Sequence, residues 1–221
     1  DPLLQQFAME VAQDERNHVA FLQTAITNAS SIAEPTIDLF NSFNALAVAA
    51  GIGPTFDPFA SEANFLLGAF IFEDVGVTAY HGAAGLITSK SILDKAAGIL
   101  AVEAYHAGAI RTHIYGLGTA EQGLSQQIAA ARAVLDGTGP SAPDDIGVTT
   151  LSNGAATVVD GDVNAIAFAR TTLQVRQIAY AVGLKQQPPA TNPPTVPTPP
   201  PVTNALSAGG FFPTGMNGPI R

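Results

Sequence analysis

Glu15 and His18 stand three residues apart in this chain, and so do Glu103 and His106. On an α-helix that spacing leaves the two side chains about 60° apart on one face, so a carboxylate oxygen and an imidazole nitrogen can reach a common ion. A further acid, Glu73, sits in an apolar segment between the two pairs. All five occupy positions where the local pattern calls for leucine. An ionised carboxylate placed in an apolar interior costs several kcal/mol, so such groups need compensating charge. A bound metal would supply it. Ligation by oxygen and imidazole without sulfur favours Fe or Mn over Cu(I) or a structural Zn site. Two Glu-x-x-His motifs and a single Glu form most of the inward-projecting set of a dinuclear carboxylate centre in a helical bundle. The competing reading of the same residues is a buried Glu/His hydrogen-bond network without metal.

The elements that must carry these residues are legible in the apolar spacing. Leu4, Phe7, Val11, Glu15, His18 and Leu22 follow one another at intervals of three and four and share one helical face. From residue 89 to 117, Ala96, Ile99, Glu103, His106, Ile110, His113 and Leu117 repeat the pattern. Between residues 60 and 84, Leu66, Ala69, Glu73, Gly76 and Tyr80 form a third stripe. Three helices are therefore expected to bring three carboxylates and two imidazoles to one depth of a core. Residues 1–137 read as an all-α helical bundle punctuated by Pro and Gly, and residues 138–184 as a loop followed by an accessory helix from Val163 to Val182. Short β-like runs are expected at Val148–Leu151 and Ala156–Val159. Residues 185–221 read as a Pro-rich strap, with eight of the sixteen prolines between Pro188 and Pro201, ending in a docking tail around Phe211 and Phe212.

Other polar residues rank below these five. His81 is expected near a helix end and His113 as a core histidine. Tyr80 and Tyr105 read as core aromatics, Asp14 and Asp74 as solvated neighbours of the ligand acids, and Asp160-Gly161-Asp162 as a turn followed by a helix cap. Composition narrows the class of function. Of 221 residues, 47% are hydrophobic, enough for a substantial core. Nine Lys+Arg against 18 Asp+Glu give a net charge of −9 and no basic run, which argues against nucleic-acid partners. The apolar stretches are too short to span a membrane. The absence of Cys removes disulfides, thiolate metal sites and Cys nucleophiles. The low pI of about 4.6 suits an exported protein, periplasmic, extracellular or in a cell wall.

Three segments, Asp14-Glu15-Arg16-Asn17-His18, Phe72-Glu73-Asp74-Val75-Gly76 and Val102-Glu103-Ala104-Tyr105-His106, resemble the ferritin-like family that includes plant desiccation-related proteins and bacterial and fungal stress-associated homologues. Phe56-Asp57-Pro58-Phe59, Asn64-Phe65-Leu66-Leu67, Phe168-Ala169-Arg170-Thr171 and the stretch from Gly209 to Gly218 are similar to that family's plant branch. The resemblance implies a ferritin-like four-helix bundle, frequent export and an association with desiccation or stress. It also implies a further helix, ahead of the first one here, that carries another metal-site Glu. Glu10 cannot replace that ligand, because five residues before Glu15 is about 140° around the helix. Either the true chain starts earlier and this sequence is a processed or partial product, or the fourth helix comes from another molecule. Three helices alone are expected to leave an open groove, favouring a homo-oligomer, a donated helix or an extended assembly. Two functions follow: a di-iron or di-manganese protein acting on Fe(II), oxygen or peroxide, or a non-catalytic extracellular structural or protective protein with a vestigial site.

Overall fold

The computed structural model describes residues 1–25, 35–139, 144–181 and 210–212. It is all-helical, with α1 at Pro2–Ala25, α2 at Phe40–Ala49, α3 at Glu62–Ala84, α4 at Lys90–Leu117, α5 at Thr119–Leu135 and α6 at Thr172–Ala179. No β-strand occurs among the described residues. The helices start where their sequences supply a side-chain acceptor. Ser61 Oγ accepts from the Asn64 N–H at 3.1 Å, and Ser89 Oγ takes the same part for Ile92. Gly118, at φ 112°, turns the chain from α4 straight into α5.

The α3 and α4 helices, joined by only five residues, make the most extensive helix pair, and α5 closes against both. Leu66, Leu67, Phe70, Ile110, Ile114 and Ile128 form the centre of the core. The α2 helix packs on α5, and α6 lies against α3 and α5. By contrast α1 rests lightly on α4, and Leu4 is its only buried residue. The face predicted from its spacing does turn toward the bundle, with Phe7, Val11, Glu15, His18 and Leu22 half-buried. Phe211 is drawn deep into the fold. Its ring meets Phe43 and Phe72 edge-on with centroids 5.4 and 4.9 Å away. Its N–H donates to the Ala179 carbonyl and its own carbonyl accepts from Asp38, each at 3.0 Å. The approach requires Gly210, whose φ is +51°, since a Cβ there would strike the Tyr180 carbonyl carbon. The Pro-rich strap itself lies outside the described residues.

One expectation about the accessory region is corrected. The helix predicted from Val163 to Val182 is an eight-residue α6 beginning at Thr172. Asp162 decides this, because its Oδ1 accepts from the N–H groups of Asn164 and Ile166 and folds the next residues into a tight turn instead of capping a helix. Residues 168–170 then run extended along α3, where the Arg170 N–H donates to the Thr78 carbonyl at 2.9 Å. The β-like runs meet in a single antiparallel bridge, Thr150 with Ala156. Thr171 and Gln174 form a reciprocal capping box at the start of α6. Thr171→Ala is accordingly expected to lower stability by about 1 kcal/mol, read from the midpoint of urea unfolding.

Candidate metal centre

Glu73 on α3, Glu103 and His106 on α4, and Glu15 and His18 on α1 converge on one spot. Two triads are in ligating proximity, Glu15–Glu73–His106 and Glu15–His18–Glu103, each offering three atoms within 4.8 Å of one another. Glu15 belongs to both and so stands between two adjoining positions. His106 Nδ1 lies 3.2 Å from Glu73 Oε2 and 3.4 Å from Glu15 Oε1. His18 Nδ1 lies 3.4 Å from both Glu15 Oε1 and Glu103 Oε1. Glu73, Glu103 and His106 are buried, while the Glu15 side chain is 44% exposed at the lightly covered α1 edge. Glu15 is thus less enclosed than its stripe position suggests, because few residues of α1 are covered.

The atoms satisfy one another only in part, through Glu73 Oε2 accepting from His106 Nδ1 at 3.2 Å. Glu15 Oε1 and His18 Nδ1 are buried without a well-aligned hydrogen bond despite the 3.4 Å approaches, so both keep coordinating capacity within the cluster. Burial, then Glu15 and Glu73, pushes the Glu103 carboxyl up to about 8. Burial opposes a charge on His106, yet Glu15, Glu73 and Asp14 together push it up to about 10. In turn His106, outweighing burial, holds the Glu15 carboxyl below its usual range. Without a metal, the site keeps a proton on Glu103 and a second one on His106 to offset its carboxylates. This donor set, oxygen-rich with two imidazoles and short of positive charge, fits Fe or Mn.

Room for Glu103 comes from Gly76, one turn along α3 from Glu73, because a Cβ at that position would collide with Glu103 Oε2. Tyr80, one further turn along, faces the same carboxylates. Burial, Glu103 and Glu15 raise its hydroxyl to about 12, so it stays protonated there.

Two acids read as solvated are structural. Asp14 Oδ2 accepts from His106 Nε2 at 3.2 Å and fixes the orientation of that ring. Asp74, 1% exposed, accepts from Arg111 and Arg132 at 2.9 Å each. The available signal was the arginines, three of the nine basic residues placed within apolar segments. The remaining candidates lie away from the centre. The His81 Nδ1–H donates to the Phe168 carbonyl, His113 stacks on Phe7, and Tyr105 is 79% exposed on the outer face of α4, not in the core.

A helical core with paired Glu-x-x-His helices and an inward Glu defines a ferritin-like carboxylate bundle. Residues 1–116 match the ferritin-like domain, and the chain belongs to that family. It is similar to the desiccation-related protein PCC13-62 of Craterostigma plantagineum, at 28% identity over 209 residues, a match that takes in 86% of this chain and 64% of the relative. The chain therefore spans less than two thirds of that relative's length. No solved structure matches it.

Proposed function

We propose that this protein is a metal-binding member of the desiccation-related ferritin-like group, holding a dinuclear Fe or Mn centre on Glu15, His18, Glu73, Glu103 and His106 and acting on Fe(II), oxygen or peroxide. The observation that carries this reading is the sharing of Glu15 by two triads whose buried Glu15 Oε1 and His18 Nδ1 have no partner of their own. Bound Fe or Mn would supply the redox chemistry. The chain's residues do the rest. Glu15 spans the two positions, and Asp14 holds His106 Nε2–H so that Nδ1 faces inward. Glu103 yields its proton when a cation arrives. A groove of about 280 Å³ between α1 and α4, lined by Asn17, Phe21, Ile99 and Val102, opens beside His18, the side from which a small oxidant would approach.

Elemental analysis of natively purified protein tests the reading. About two Fe or Mn ions per chain are expected, and none after anaerobic Fe(II) loading would overturn it. The protons supply a further prediction. Glu103 and His106 both sit above their ordinary values, so at pH 7 the metal-free site holds protons that a metal must displace. Metal affinity should rise steadily from about pH 6 to pH 8, with net proton release. Titration calorimetry in two buffers of different ionisation enthalpy reads that release as a difference in apparent heat. Equal heats would contradict it.

A second reading has its own support. Leu3, Met9 and Val19 are 65%, 67% and 54% exposed on different sides of α1, a helix with one buried residue whose uncovered surface is open to another helix from a neighbouring copy. A homo-oligomer with a structural or protective role would use that surface whether or not metal is present. Light scattering over a range of concentrations separates an associating chain from a monomer.

A further inference from the structure

Behind the carboxylate–histidine centre, Arg111, Arg132 and Arg170 are buried together at 1% exposure each. Four acids face them: Asp74 from α3, Asp136 at the end of α5, and Asp145 and Asp160 from the segment between α5 and α6. Arg132 binds both oxygens of Asp145 and one of Asp74. Arg111 binds the same Asp74 oxygen, and Arg170 joins Asp136 to Asp145. Four carboxylates against three guanidiniums leave one negative charge without a partner. Two oxygens are also left over, Asp74 Oδ1 and Asp160 Oδ2, both buried and neither hydrogen-bonded. An oxygen from each of Asp74, Asp145 and Asp160 lies within 4.8 Å of the others.

We propose that Asp160 is held protonated in this network, its Oδ2–H donating to Asp74 Oδ1, so that one proton forms part of the clasp tying residues 144–170 to α3, α4 and α5. A single proton balances the charge and puts a donor into an acid cluster where two oxygens lack one. A calcium ion does not suit the place, because it takes 6–8 oxygen ligands while the guanidiniums already occupy both Asp145 oxygens and Asp74 Oδ2. Burial comes first in raising the Asp160 carboxyl, then Asp74 and Asp145. Arg111 and Arg132 oppose them, and the carboxyl settles at about 7. The other charged groups around the network are Arg170 and Asp136, paired with each other, and Asp144, half-buried at the rim beside Thr138. The sign follows from a value raised above the unfolded 3.8. The fold keeps a proton that the unfolded chain releases, so the contribution of this carboxyl to stability declines as pH rises from about 4 through 7. The clasp is therefore a pH-sensitive element that loosens on the alkaline side.

Asp160→Asn tests this, since the amide keeps the shape and a donor but does not titrate. The wild-type melting temperature should fall by roughly 5 °C between pH 5.5 and pH 8.5 through a step that the variant lacks, and the variant should melt higher at pH 8.5. Any contribution from Glu103 is common to both proteins and cancels. Parallel pH profiles would overturn the proposal. So would millimolar calcium raising the wild-type melting temperature but not the variant's. If the variant does not fold, carboxyl NMR of wild-type protein labelled only at aspartate decides. An aspartate titrating near pH 7 supports the proton, and none titrating above about pH 5 overturns it.

Discussion

Glu103→Ala is expected to reduce bound Fe or Mn from about two ions per chain to one or none. Glu103 is 6% exposed, its Oε1 lies 3.4 Å from His18, and its triad shares Glu15 with the other position. Losing it leaves His18 and the half-exposed Glu15 alone on that side. Stability should separate a ligand from a simple core residue. Without metal, removing a buried carboxyl that keeps its proton up to about pH 8 relieves a cost of burial, so the metal-free variant should melt no lower than the parent at pH 8. With metal, the parent should gain several degrees that the variant does not. Gly76→Ala reaches the same carboxylate from α3, because its Cβ would occupy the place of Glu103 Oε2. A loss of tenfold or more in metal affinity is expected for that variant. Metal content in Glu103→Ala equal to the parent's would sink the ligand assignment.

Arg132→Met should be strongly destabilising, because it removes the α5 side of the network that holds the accessory region to the bundle. Its guanidinium binds Asp145 through two hydrogen bonds of 2.8 and 2.7 Å, Asp74 at 2.9 Å and the Phe70 carbonyl at 2.7 Å. It also lies over the Phe70 ring, 4.4 Å from the centroid. Methionine fills the volume but leaves Asp74 and Asp145 buried beside fewer cations. Breaking one side of such a network costs about 3–5 kcal/mol, or roughly 10 °C of melting temperature for a domain of this size. Thermal unfolding followed by circular dichroism measures it. A loss under about 1 kcal/mol would mean that solvent reaches the network and screens it.

The apolar spacing alone was enough to define the all-helical class and the inward faces of the three ligand helices. Leu4, Phe7, Val11, Glu15, His18 and Leu22 follow a strict three-and-four pattern, and that face does turn to the bundle. Periodicity is a local property, so it survives being read one segment at a time. The Val163 helix failed for a reason just as local but weaker in signal. The Asp162 side chain satisfies two backbone N–H groups and stabilises a turn where apolar composition suggested a helix.

The sequence by itself determined that acids and imidazoles would sit on apolar faces, because a helix maps spacing directly onto direction. Only the tertiary structure decided how far each would be enclosed, which is why Glu15 is half-exposed while Glu73 and Glu103 are buried. It alone decided that Asp14 would serve His106 and that Asp74 would turn away to the arginines. Those two acids are adjacent in sequence to Glu15 and Glu73, so no spacing rule distinguishes their roles. The partners that do so, His106 for one and Arg111 and Arg132 for the other, arrive from residues 92, 37 and 58 positions away.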